Sequence, residues 1–370
     1  MKRRKFVTIA GIGVVAAGGA AYFINKNYQM NKYDEHVAKV WSHSTKFSGA
    51  DNEVMKELVR YATLAANSHN TQPWLFKIGS RRITISPDFS RRCPVVDPDD
   101  HHLYASLGCA TENIVHAAKA FGLKANVSVE NNPGNVIDIH FEPISIETTE
   151  LFQAIPKRQC TKVTYSGKKV SAEELKILET AAQDQGISTQ LFTDKKNMEA
   201  ILEYVVQGNT AQMRDDAFIK ELKDWVRFNA SSALKHGDGL FSATSGNPTA
   251  PNWLGGLIFN MAFTEKAEND KYKEQIRSSA GVIAFVSEQD NVEHWVKAGR
   301  SYQRFALQAT ALGLKHAFIN QPVEVPEVRS QFASYLNNGD RRTDLLVRFG
   351  YGPEMLKTMR RPIDQVIVQE

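Results

Sequence analysis

Residues 67–74 read N-S-H-N-T-Q-P-W and sit between an amphipathic stretch, residues 54–66, and a short apolar run, residues 75–78. Asn67, Ser68, Asn70 and Gln72 bring amides and a hydroxyl to the boundary between two regular elements. Polar groups fixed in that way suit a polar, planar ligand, because the flanking elements restrict the loop. The same residues have a purely structural use: Asn67 closes a helix, Pro73 sets a turn and Trp74 fills the core. Other chemistry is thinly represented. No Ser-His-Asp or paired-carboxylate constellation stands out, which gives hydrolysis little support and leaves no catalytic side chain to nominate. Asp97, Asp99, Asp100, His101 and His102 are metal-ligand types, but their spacing fits no known cage, so a solvated loop capping the next helix is the expectation. His116 and His140 read as core or surface.

Hydrophobic residues make up 42% of the 370 positions and charged residues 23%, which describes a largely globular chain. The net charge of +4 is carried by Lys2, Arg3, Arg4 and Lys5; without them 41 basic residues face 41 acidic ones. Nothing in the body therefore points to nucleic acid. Three cysteines, Cys93, Cys109 and Cys160, exclude a disulfide framework and form no zinc pattern.

The opening K-R-R-K-F-V is followed by residues 6–24, which carry no charge. A basic stretch before an apolar one is an export-signal pattern. Arg3-Arg4 followed by Phe6 is similar to the twin-arginine signal, which implies the twin-arginine export machinery as a partner. The apolar run is also just long enough to remain as a membrane anchor. Residues 1–25 are thus expected to be a signal or anchor, and residues 26–50 a polar tether with a weak helical pattern.

Positioning the 67–74 loop falls to an internal repeat. Residues 107–124 and 298–315 echo each other: Gly108 with Gly299, Ala118 with Ala309, Gly122 with Gly313, Leu123 with Leu314. Each copy reads as an Ala-rich core helix closed by glycine and followed by a strand. A capping box at residues 48–51 opens the first helix, and Ser171 with Glu174 opens a later one. A hairpin is expected across Gly79-Ser80, a turn at residues 131–135, helix through 197–230, and a long loop or lid at 236–253. The seam falls at residues 143–149. The fold class is α+β: two related halves, 51–142 and 150–370, with antiparallel-type sheets flanked by helices.

Residues 67–74, the Gly-Leu helix repeat and the ending R-F-G-Y-G-P…R-R-P-I-D together resemble the nitroreductase family of FMN flavoproteins, and the tandem arrangement with an export signal is most similar to its Acg-like branch. The resemblance spans about residues 50–370. Ordinary members are homodimers with flavin at the subunit interface, so it implies an intrachain pseudo-dimer. Arg158-Gln159-Cys160-Thr161-Lys162 matches the family's phosphate-binding R-x-S-T-[KR] in the second half only, and Asn70-x-Gln72-Pro73-Trp74 matches N-x-Q-P-W in the first half only. Each half would then keep one wall of a single FMN site. Arg158, Lys162 and Arg360 would meet the phosphate, with Arg361 assisting or pairing at the surface with Asp364. Gln159 and Cys160 belong to the same element, Cys160 standing where serine is usual. Asn67, Ser68, Asn70 and Gln72 would hold the ribityl chain or ring, and Asn320 and Gln321 would set backbone N–H groups near the ring. Arg300 and Arg304 would reach phosphate or face water.

The resemblance implies an FMN-dependent oxidoreductase that reduces a quinone, a nitroaromatic or a similar electron-poor small molecule. The export signal implies a periplasmic protein, or one anchored at the outer face of the inner membrane. NAD(P)H is scarce there, so a quinol or a redox protein is the expected donor. The alternative is a non-catalytic FMN-binding or FMN-sequestering protein.

Overall fold

The computed structural model describes residues 25–44, 51–130 and 134–368. Residues 1–24 of the export signal, residues 48–50 of the capping box and residues 131–133 of the turn at 131–135 lie outside them. The first half comprises α1 (25–40), α2 (Asp51–Thr63), β1 (Trp74–Gly79), β2 (Arg82–Pro87), α3 (His101–Ala120), β3 (Leu123–Glu130) and β4 (Val136–Pro143). The second begins with α4 (Glu150–Ala154), α5 (Ala172–Ala182) and β5 (Ile187–Phe192). An insertion follows: α6 (Lys195–Met213), α7 (Asp216–Trp225), β6 (Val226–Arg227), α8 (Ala230–His236), β7 (Leu240–Phe241), α9 (Asn252–Ala262) and α10 (Glu265–Arg277). The half closes with β8 (Gly281–Ser287), α11 (Val292–Ala311), β9 (Lys315–Phe318), α12 (Gln321–Glu324), α13 (Pro326–Tyr335) and β10 (Arg342–Gly350).

Two four-stranded antiparallel sheets result, ordered β1-β2-β4-β3 and β5-β8-β10-β9. Both follow one path of helix, strand, strand, helix, strand, strand, so the fold is α+β with two related halves. The insertion and the pair α12–α13 are additions to the second copy. β8 and β10 are buried at every position, as their unbroken apolar or paired sequences require.

The halves meet where α3 crosses α11. A Cβ on Gly108 would lie 2.1 Å from the Val296 carbonyl oxygen, and one on Gly299 would lie 1.9 Å from that of Ala105. Ala105 and Val296 each stand three residues before their own glycine, so the contact is reciprocal, as at an isologous dimer interface. Glu112 of α3 is buried between Arg300, at 2.8 Å, and Arg304, at 3.1 Å, of α11. Burial opposes its ionisation, but the two guanidiniums and His116 hold it well below the usual carboxylate range. Arg300 and Arg304 therefore belong to this junction, and neither is a phosphate ligand.

Several expectations change. The hairpin turn is Ser80-Arg81, one residue later, with Arg81 at φ 49°. Residues 197–230 hold two helices and a short strand, because Asp215 caps a new helix. The segment 236–253 contains β7 and one 3₁₀ turn, Ser242–Ser245, and runs into α9. Residues 26–44 are not a tether. α1 is docked through Tyr33, fully buried with Ala230, Ala233, Phe241 and Met359, and Trp41 donates from Nε1 to the Thr358 carbonyl at 2.9 Å. Burial of two large aromatic rings outweighs the polar composition of the segment.

Candidate functional site

The 67–74 loop leaves α2 and turns sharply. His69 at φ 46°, Asn70 at φ 55° and Gln72 at φ 55° all occupy left-handed backbone. Such strain costs on the order of 1 kcal/mol per residue and persists where surrounding contacts enforce it. Asn67 pins the loop internally: its Oδ1 accepts from the Gln72 N–H at 2.9 Å, and its Nδ2 donates to the Ala65 carbonyl at 3.2 Å. The second half pins the rest. Asn70 Nδ2 donates to Gly239 O at 3.0 Å, and Gln72 Nε2 donates to Gly237 O at 2.9 Å.

That loop forms one wall of a cavity of about 490 Å³, within the usual range for small-molecule sites. Asn67, Ser68 and Asn70 line it from the first half. Arg158, Gln159, Cys160, Lys162, Asn320, Gln321 and Arg360 line it from the second. Gln72 and Arg361 do not. Gln72 is fully buried, and its Oε1 accepts from the Arg361 backbone N–H at 2.7 Å. Arg361 turns the other way, to the Gln72 carbonyl at 3.1 Å and to Asp88 at 3.4 Å, and not to Asp364. Both residues fasten the two walls together from behind.

One end of the cavity is a cluster of cations. Arg158 and Arg360 are nearly fully buried. Arg158 donates to Leu64 O at 2.8 Å, while its Nε has no partner among the described residues. Arg360 donates to Asn70 Oδ1 at 2.7 Å and to Ala65 O at 3.2 Å. Lys357 donates to Arg158 O at 2.9 Å. The Trp41 ring lies beneath all three, 6.0 Å from Arg158, 4.9 Å from Lys357 and 4.7 Å from Arg360. Among the described residues no carboxylate comes within 4.0 Å of Arg158, Lys162, Lys357 or Arg360. Burial, and then the neighbouring Arg158, push Arg360 down to about 9 and Lys357 down to about 6. Unpaired cations under low dielectric call for an anion.

This cluster makes the stability of the ligand-free protein depend on pH. Between the folded and ordinary values of Lys357 and Arg360, the unfolded chain holds more protons, so stability rises with pH. Asp97, raised by burial to about 6, and Asp344, raised by burial to about 7, titrate lower. Burial raises the Cys93 and Cys109 thiols, which oppose this trend near and above their ordinary value, so the melting temperature should climb from about pH 7.5 to about 8.5, and Lys357→Met should flatten the slope. A wild-type melting temperature that falls over this window would remove the uncompensated cations from the account.

A second polar group lines the cavity around Lys162 and His102. Burial, and then Lys162 and His102, drive His69 down to about 3, so its imidazole is neutral. Lys162 is itself lowered by burial. Glu324 is raised by burial; its Oε2 accepts from Gln212 at 2.6 Å and its Oε1 lies 3.9 Å from His102 Nδ1. Asn320 Oδ1 accepts from the Leu346 N–H at 2.9 Å, and Gln321 donates to the Tyr272 hydroxyl, leaving its Oε1 without a partner among the described residues. Gln159 spends its amide on Met355, at 2.7 and 2.8 Å, and so fixes the C-terminal segment. Cys160 Sγ lies 3.8 Å from Arg158 and 3.7 Å from the Tyr302 hydroxyl. Phe228, Leu240, Phe259 and Phe263 of the insertion supply an apolar wall.

Asp97, His101 and His102 do converge, with ligand atoms within 4.8 Å, but they are buried and not a solvated loop. Asp97 accepts the His102 and Leu103 N–H groups, each at 2.9 Å, which caps α3. His101 Nε2 lies 2.9 Å from Asp344. All three cysteines are free. Sequence reasoning missed Trp41 and Lys357. The spacing Lys357-x-x-Arg360 was a usable signal for the lysine; Trp41 offered none.

No family model matches the chain. It is similar to two Mycobacterium tuberculosis H37Rv proteins. The first is named "Putative NAD(P)H nitroreductase Rv3131" and is 25% identical over 328 residues, covering 86% of this chain and 92% of that protein. The second is named "Putative NAD(P)H nitroreductase acg" and is 22% identical over 325 residues, covering 85% and 95%. Among solved structures, an FMN-bound nitroreductase from Bacteroides fragilis matches 60% of this chain and all of its own at 14% identity and TM-score 0.36. The FMN-dependent nitroreductase NfnB of Mycobacterium smegmatis, in complex with NADPH, matches 60% and 98% at 11% identity and TM-score 0.40. Fold and site define a two-lobed α+β protein with a cavity between its lobes, cationic at one end and apolar along one wall.

Proposed function

We propose that the chain is a nitroreductase-like FMN-dependent oxidoreductase whose two halves form one intrachain flavin site. The observation that carries this reading is the cluster Arg158, Lys357 and Arg360, its two arginines buried and, among the described residues, with no carboxylate within 4.0 Å, at one end of a cavity lined by both halves. A phosphomonoester brings nearly two negative charges and three acceptor oxygens. The free Arg158 Nε and the arginine forks match it in charge and donor geometry. The names of the relatives point the same way.

Bound FMN would supply two-electron redox chemistry. Arg158, Lys357 and Arg360 would bind its phosphate, with Trp41 excluding water behind them. Asn67, Ser68 and Asn70 would hold the remainder from the first half, while Lys162, Asn320 and Gln321 would orient it from the second. Neutral His69 leaves Lys162 as the nearby cation for an electron-rich ring, and the His102–Glu324 pair can hold a proton beside the cavity. The Phe228, Phe259 and Phe263 wall suits an aromatic acceptor such as a quinone or a nitroaromatic. The donor would be a reduced nicotinamide, as the relatives' names suggest, or a quinol or redox protein if the export signal acts and places the chain outside the cytoplasm.

The test is anaerobic. Protein loaded with FMN and reduced by dithionite should be reoxidised rapidly on adding a soluble quinone or nitroaromatic. Reduction that no acceptor reverses would favour the sequestering alternative, for which the apolar wall of the insertion would be a cover.

A further inference from the structure

Helix α9 has the sequence N-W-L-G-G-L-I-F-N-M-A, with no charged residue. One side faces the cavity through Gly255, Ile258, Phe259 and Ala262. The other faces solvent. Trp253 is 71% exposed, Leu257 54%, Ile258 42% and Met261 80%. Trp253, Leu257 and Met261 follow at intervals of four and so form one stripe on the helix surface. These are four of the twelve exposed large apolar side chains among the described residues, gathered on eleven positions. An apolar patch of this kind marks an interaction surface.

We infer that the outer face of α9 rests on a lipid bilayer and that the cavity beneath it receives a lipophilic quinone from the membrane. Three observations favour a bilayer over a protein partner. Residues 6–24 carry no charge, a run long enough to enter a membrane. α1, which continues from that segment, packs through Tyr33 on α8 and Phe241 of the same insertion that carries α9. α1 and the stripe thus meet on one insertion. Trp253 stands at the start of the helix and Lys223 donates to Asn260 at 2.9 Å near its end, an aromatic and a cation of the kind that settle at the headgroup level.

α9 is then both floor and doorway. A ring carried on an isoprenoid tail would pass the helix edge at Ile258, where the exposed face and the cavity wall meet, and reach the apolar side chains of Phe259 and Phe263. There the quinone would take up two electrons and two protons from two-electron-reduced flavin and leave as quinol, the flavin returning to its oxidised form. This part rests on the flavin reading above; the membrane contact does not.

The experiment uses the full chain reconstituted into phosphatidylcholine–phosphatidylglycerol vesicles, with and without bromine on the lipid acyl chains. Trp253 emission, taken as wild type minus Trp253→Phe, should lose about half its intensity or more in brominated vesicles, as expected for a residue lying at the acyl boundary. Leu257→Ser with Met261→Ser should reverse that quenching. The same double variant should slow reduction of a long-chain quinone in vesicles about tenfold while sparing a short-chain soluble quinone, because only the former needs the bilayer contact. Unquenched Trp253 in vesicle-bound protein overturns the inference, and a dimer broken by the double variant assigns the stripe to a second copy. Quenched Trp253 without bound FMN would keep the membrane contact and end the flavin reading instead.

Discussion

Gly299→Ala is expected to cost on the order of 4 kcal/mol and to leave little folded protein. In a helix interior this exchange ordinarily stabilises, since alanine loses less backbone freedom than glycine, by about 0.5–1 kcal/mol. Here the sign reverses. The added methyl would lie 1.9 Å from the Ala105 carbonyl oxygen, a backbone atom of α3 that has no rotamer to escape into. Relief requires α3 and α11 to separate, which would pull Glu112 from Arg300 and Arg304 and break the 2.7 Å bond from Gln303 to Asn113. A buried carboxylate left without its partners costs several kcal/mol in its own right. Gly108→Ala should behave alike, because its methyl would meet Val296 O at 2.1 Å. Gly256→Ala is the matched control: it too is within a helix, but its nearest neighbour would be a lysine side-chain carbon at 3.7 Å. Urea unfolding of the three variants should show two severe losses and one slight gain. A Gly299→Ala protein as stable as the wild type would mean that the two helices are not pressed together as described.

The second large effect concerns Arg158→Met. Two charge-assisted hydrogen bonds to a phosphate are together worth about 3 kcal/mol or more, so FMN affinity should fall at least about a hundredfold. Stability should move the other way. In the ligand-free protein Arg158 is buried beside Lys357 and Arg360 with no counter-ion among the described residues, and it contributes to lowering both. Replacing it by an apolar chain of similar length removes that repulsion, at the cost of the bond to Leu64 O. The ligand-free variant should therefore melt at the same temperature as the wild type or higher. A variant that loses stability and flavin affinity together would make Arg158 a scaffold residue first.

Much of this architecture was legible in the sequence because packing constraints repeat. The aligned pairs Gly108–Gly299 and Gly122–Gly313 mark the crossing point and the helix ends of the two central helices, and both demands are local. The 67–74 loop stood out in the sequence because it gathers amides at an element boundary, although those residues alone left a purely structural use equally open. Residues whose roles depend on direction were harder. Arg360 and Arg361 are adjacent in an irregular segment, so one enters the cavity while the other reaches Asp88. Gln72 looked like a ligand group, but its backbone at φ 55° turns the amide toward Gly237. Residues 97–102 looked solvated because their polarity is high; in three dimensions β10 places Asp344 over them. Trp41 was invisible, since a lone tryptophan in a polar stretch carries no spacing, and its partners lie more than a hundred positions away.

The most direct measurement compares FMN with riboflavin, which shares the ring and ribityl chain and lacks only the phosphate. Titrations following flavin fluorescence should give an FMN dissociation constant at least about a hundredfold below that of riboflavin in the wild type, reflecting charge-assisted bonds to a dianion. The gap should collapse in Arg158→Met. Equal affinity for the two flavins, or no binding of either, would contradict the assignment of the cation cluster to a phosphate.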